Sequence, residues 1–376
     1  MTLFSKPVYS VFSAGLAPAI LPNCTRQCFL CCQIFIVLLL SSCSAIDDFL
    51  KIKPAQISTR GSEPGVIKFV ALGDTGKGND GQFQVANAIN NKCEQDGCDF
   101  VLMLGNNIYN GGVNSLHDQQ FKARFELPYQ NIRLPFFMVL GNHDYGGTDL
   151  GIGYEYNKSE FQVKYTERST KWIMPQHYYQ FIKENITFIA LDTNAQLYGL
   201  DVEQRRDIAQ WLATANTTWK IAFGHHPYLS NGQHGNAGEY NLLSDLPVAS
   251  GDTVKSFAED IWCGKVDLYI SAHDHNRQWL NTDCAGTQLV ISGAGSDIDQ
   301  LRGTNPALFQ KSTLGFLYVR IEGNKLTGQF LDAKGNIEFT HAIEKQSEPD
   351  KSNTSATSGI FETLDTPETP ETPETK

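Results

Sequence analysis

The feature that most constrains this chain is a series of apolar runs, each broken off at a small residue that is followed by Asp, Asn or His. Val66–Leu72 runs into Gly73-Asp74-Thr75-Gly76, Phe100–Leu104 into Gly105-Asn106-Asn107-Ile108-Tyr109, and Phe136–Leu140 into Gly141-Asn142-His143-Asp144. Further on, Lys220–Phe223 runs into Gly224-His225-His226-Pro227, and Asp267–Ser271 into Ala272-His273-Asp274-His275-Asn276. Short apolar runs closed by turn residues read as buried strands. Helices are expected at Gln82–Asn91, Leu116–Tyr129 and Val202–Thr214. Further strands are expected at Tyr178–Ile182, Thr187–Leu191, Gln288–Ile291, Gly315–Ile321, Lys325–Leu331 and Ile337–Thr340. Strand-helix-strand order early and strand-rich order later predicts an α/β sandwich of mixed sheets.

In open α/β sheets, ligands collect beyond the carboxyl ends of the strands, so the five turns can converge. Together they bring carboxylates, amides, a phenol and several imidazoles. Mixed oxygen and nitrogen donors suit iron, zinc or manganese, and the lack of thiolates speaks against a structural zinc site. One Gly-Asp turn or one His-x-His pair is commonplace. Five such turns in this order, each after an apolar run, are hard to obtain by chance.

The set resembles the calcineurin-like metallophosphoesterases. Tyr109 brings the resemblance closest to the purple, or tartrate-resistant, acid phosphatases, over about Val66 to Gly295. The resemblance implies a four-layer αββα sandwich of two mixed sheets flanked by helices. It also implies a binuclear centre of iron with zinc, manganese or a second iron. By position, Asp74, Tyr109 and His275 would hold the trivalent iron, and Asn142, His225 and His273 the divalent metal. The bridging ligand falls at position 106, where the family has aspartate and this chain has Asn106. An amide brings one negative charge fewer to a buried metal pair and bridges poorly.

The resemblance further implies that His143 contacts phosphate and helps to protonate the leaving group, with Asp144 placed to orient it. His234 would be a second substrate histidine, and His226 is expected either to pack or to touch substrate. The implied reaction is hydrolysis of phosphomonoesters of small molecules or proteins by a metal-activated hydroxide. Asn106 leaves open a catalytically impaired phosphatase fold that serves as a surface binding protein. A phosphodiesterase or nucleotidase stays open as well.

Composition narrows the partners. The 376-residue chain carries a formal net charge of -11, which repels nucleic acid at long range. A monomer is expected. Phe29–Leu40 is a twelve-residue apolar run preceded by Arg26, short for a membrane span and suited to a signal peptide. It ends in Leu40-Ser41-Ser42-Cys43, which resembles a bacterial lipobox and implies lipidation at Cys43. An uncleaved anchor or an ordinary secretory signal are alternatives, and all three place the body outside the cytoplasm. Residues 1–42 thus read as leader, 43–62 as tether, 63–343 as the catalytic-type domain and 344–376 as a polar Pro-Glu-Thr tail without the apolar surface to fold. Cys93, Cys98, Cys263 and Cys284 suggest two disulfides, with Cys93–Cys98 and Cys263–Cys284 the natural pairing.

Overall fold

The computed structural model describes residues 63–146, 152–200, 202–240 and 250–346. The leader, Cys43, the tether and the chain beyond residue 346 lie outside the described residues.

Among the described residues, fourteen strands form two seven-stranded sheets. The first contains β1 (Val66–Leu72), β2 (Phe100–Leu104), β3 (Phe136–Val139), β4 (Trp172–Ile173), β12 (Gly315–Glu322), β13 (Lys325–Asp332) and β14 (Ile337–Glu344). Its order is β14-β13-β12-β1-β2-β3-β4, with β1 to β4 parallel and the β12–β14 meander antiparallel. The second contains β5 (Tyr179–Lys183), β6 (Ile186–Ala190), β7 (Trp219–Phe223), β8 (Leu268–Ser271), β9 (Arg277–Leu280), β10 (Gln288–Ser292) and β11 (Ala307–Lys311). Its order is β11-β9-β10-β8-β7-β6-β5, with β6, β7, β8 and β10 parallel. The expected mixed-sheet sandwich is therefore present.

The central parallel strands are covered on both faces, which is why they read as unbroken apolar runs. Every residue of β2 and of β6 is buried. Between the sheets lies an aromatic cluster in which Phe69 stacks on Phe100 at 5.4 Å, Phe100 meets Phe188 edge-on at 5.2 Å, and Phe137 stacks on Phe181 at 4.0 Å. Such pairs add about 0.5–1.5 kcal/mol each beyond area burial. On the outer faces, helix Asp80–Asp96 buries Val85 and Ile89 against the first core. Helix Val202–Thr214 and the helical segment Asp252–Trp262 bury Ile208, Leu212, Phe257 and Trp262 in a second core with Ile189 and Leu289.

Local chemistry sets the helix bounds. Asn79 caps the first helix by accepting the Gln82 N–H at 3.0 Å, so it begins two residues before the sequence expectation. The helix expected over Leu116–Tyr129 starts only at Gln119, because Asp118 accepts N–H groups from both Asn114 and Gln120 and holds a turn there. Both cysteine pairs are bridged as expected, Cys93 to Cys98 and Cys263 to Cys284.

Candidate metal centre

All the singled-out turns leave the carboxyl ends of parallel strands, β1 to β3 in one sheet and β7 and β8 in the other. Asp74, Asn106 and His273 each take a left-handed φ, of 55°, 55° and 68°. That conformation is costly for residues with a Cβ and concentrates at functional sites. Gly105 and Gly141 let the turns close up. A Cβ on Gly141 would lie 2.3 Å from Asn106 Oδ1, and one on Gly105 would lie 2.8 Å from His225 Nδ1. The sheets are laced together here, since Gly73 N–H donates to the Ser292 carbonyl at 2.8 Å and His273 N–H to Asp74 Oδ2 at 2.7 Å.

One half of the site is acidic. The Tyr109 hydroxyl donates to Asp74 Oδ1 at 2.8 Å and lies 3.1 Å from His275 Nε2. Asn106 Nδ2 donates to Asp74 Oδ1 at 2.8 Å and to Tyr109 Oη at 3.0 Å. Burial pushes the Asp74 carboxyl up, but the His275 and His225 imidazoles and the Tyr109 hydroxyl together hold it below the usual range. Burial and the Asp74 charge push the Tyr109 phenol well above its ordinary value. For His275, burial favours the neutral ring, while Asp74 and Asp299 outweigh it and raise its pKa. Asp299 Oδ2 stands 3.2 Å from His275 Nδ1, a partner that lies 24 positions beyond the histidine in sequence and carries no local signal.

The other half is made of imidazoles. His225 Nδ1 lies 2.8 Å from the Leu104 carbonyl, which can only accept, so Nδ1 carries the proton and Nε2 the lone pair. That Nε2 faces Asn142 Oδ1 at 2.9 Å and His273 Nδ1 at 3.1 Å. Burial lowers the His225 pKa to about 4, so the ring is neutral. Burial also lowers His273 and His226, reinforced by their neighbouring histidines. Nitrogen and oxygen ligands at about 2.0–2.2 Å from one metal lie roughly 3 Å from each other, which is the spacing seen here. His226 joins the group, since ligand atoms of His225, His226 and His273 all lie within 4.8 Å of one another.

Four expectations can be placed on this geometry. His143 is partly exposed, its ring 4.5 Å from that of Tyr109. Its Nδ1 is held by the Asn110 carbonyl at 2.6 Å. Asp144 does not orient it. The Asp144 carboxylate is buried and accepts the N–H groups of Asn107, Ile108 and Gly141, so it pins the β2 turn to the β3 turn. His226, considered as a substrate contact, is only 1% exposed and pairs its Nδ1 with Thr193 Oγ1 at 2.9 Å. His234 is partly exposed and stacks on His273 with ring centroids 4.1 Å apart.

A family model described as calcineurin-like phosphoesterase matches residues 67–277. The chain belongs to the calcineurin-like phosphoesterase family. Among curated proteins it is 30% identical over 300 residues to "Purple acid phosphatase 4" of Arabidopsis thaliana, covering 72% of this chain and 82% of that protein. It is 27% identical over 324 residues to "Tartrate-resistant acid phosphatase type 5" of Homo sapiens, covering 75% of this chain and 92% of that protein. Among solved structures it is similar in fold to GAP50, "the anchor in the inner membrane complex of Plasmodium", with TM-score 0.59 and 24% identity over 75% of this chain and 90% of that one.

For a phosphoesterase of this family the two halves fit a metal unequally. In the histidine half the His225 Nε2 lone pair meets His273 Nδ1 at 3.1 Å, and a neutral ring can shift its proton to its other nitrogen and free both atoms for a divalent cation. The acidic half has its convergent oxygens already satisfied by N–H and O–H donors, including the Asn106 amide. The residues present therefore fit one metal, and the binuclear centre implied by the sequence resemblance does not fit as it stands.

Proposed function

We propose that this calcineurin-like phosphoesterase hydrolyses phosphate monoesters outside the cytoplasm. The observation that carries the reading is the placement of two partly exposed imidazoles, one beside each half of the buried cluster. His143 stands against Tyr109 and His234 against His273. A cation held by the histidine half would supply Lewis acidity and a lowered pKa for bound water. The chain's own residues do the rest. Because the Asn110 carbonyl fixes the Nδ1 proton of His143, Nε2 is the atom left to exchange a proton. Water adds to phosphorus, the ester P–O bond breaks, and the departing alkoxide takes a proton from a protonated imidazole to leave as the alcohol.

Export is supported by the two body disulfides, which persist in oxidising compartments. Lipidation of Cys43 would then hold the domain at the envelope. The fixed amide of Asn106 favours a second reading, a phosphate-binding surface protein without turnover.

The test is hydrolysis of a chromogenic phosphomonoester by the purified protein with added zinc, manganese or iron. Turnover that a chelator abolishes supports the hydrolase. Phosphate binding without turnover under every metal would favour the second reading. Preference for a diester substrate would move the assignment to a phosphodiesterase.

A further inference from the structure

The amide orientation of Asn106 is fixed by chemistry. Its Oδ1 lies 3.0 Å from the backbone N–H of His143, a group that can only donate, so the oxygen belongs on that side. The Nδ2 group must then face Asp74 Oδ1 at 2.8 Å and Tyr109 Oη at 3.0 Å. It offers two protons there and no lone pair. Turning the amide over would set its NH₂ against the His143 N–H and its oxygen against the Asp74 carboxylate, leaving buried groups unsatisfied.

An aspartate in the same place would behave in the opposite way. It would bring a second carboxylate oxygen within about 3 Å of Asp74, a buried repulsion that only a cation or a shared proton relieves. Asparagine thus fills with its own protons a space that aspartate leaves for a metal. The histidine half has no such fixed filler: with the lone pair on His225 Nε2, the contact to His273 Nδ1 at 3.1 Å uses a ring proton that a change of imidazole tautomer removes.

We propose that this chain holds one divalent cation, in the pocket of His225, His273 and Asn142, and that the Asn106 amide takes the place of a second metal beside Asp74 and Tyr109. The inference rests on the phosphoesterase reading of the cluster and not on turnover.

The full-length protein is loaded with excess zinc, desalted and counted by plasma mass spectrometry, beside Asn106→Asp and His225→Ala. The native protein should retain about one zinc per chain, Asn106→Asp about two, and His225→Ala close to none. Two per native chain, or one retained by His225→Ala, overturns the proposal. Melting of the chelated proteins at neutral pH is the second readout. Asn106→Asp should melt several degrees below the native protein and recover when zinc is added. Equal melting without metal would show that the amide fills nothing. Hydrolysis is assayed separately, so one zinc without turnover would sink the hydrolase and leave this inference standing.

Discussion

The two halves of the site share a scaffold and differ in what they have already satisfied. In the acidic half, Asp74 accepts from Asn106 and Tyr109 and pairs with His275 at 3.5 Å, while His275 pairs with Asp299. In the histidine half, neutral rings are set against one another with their outer nitrogens anchored, His225 to Leu104 and His226 to Thr193. Similar donor spacings therefore carry opposite meanings. A cluster filled by an amide keeps its protons, and one filled by an imidazole proton can release it to the ring's other nitrogen. One residue type at position 106 separates the two cases.

Removing a ligand from the open half should have the largest effect. His225→Ala is expected to lower metal affinity by more than the roughly 10–100-fold that losing an outer-shell partner costs, read by competition with a coloured chelator. Next in size is the bridge between Cys263 and Cys284, which flank β8 and the turn carrying His273. Replacing both with serine should cost about 3 kcal/mol in denaturant unfolding. Zinc affinity should fall with it, and a loss of stability without any change in affinity would show that the open half does not depend on that tether.

A smaller change divides the halves more sharply. Tyr109→Phe removes the hydroxyl that donates to Asp74 and should cost about 1 kcal/mol with the zinc count unchanged. In a centre that used the phenol as a ligand, the count would fall. The smallest effect belongs to a residue in neither half. Burial lowers the His177 pKa, against a weaker opposing pull from Glu160. A histidine buried neutral contributes stability above its unfolded pKa of about 6.5, and that contribution is lost as pH falls towards the folded value. His177→Gln should flatten the acid limb of melting temperature against pH and leave metal binding alone. An unaltered acid limb would assign it to other groups.

Much of this was legible in the residues because the central strands are buried on both faces and so appear as apolar runs. The turns that follow them could be read for the same reason. Strand β9 could not. It begins with Arg277 and Gln278, which look like loop residues, yet Arg277 is fully buried and its guanidinium reaches Glu338, 61 positions away, and the Leu331 carbonyl. Long-range pairing of that kind leaves no periodic trace. The same limit explains His143, whose partner is a backbone carbonyl, and Asp144, whose adjacency to His143 suggested a contact that its backbone partners exclude. At Asn106 the lost charge was readable from residue type, but the direction of the amide depends on a backbone N–H from another turn.

The most direct measurement is anomalous diffraction at the zinc edge from crystals of the zinc-loaded native protein. A single strong peak bounded by His225, His273 and Asn142 is expected, with Asn106 still hydrogen-bonded to Asp74 and Tyr109. A second peak of comparable occupancy between Asp74 and the Tyr109 oxygen would contradict it.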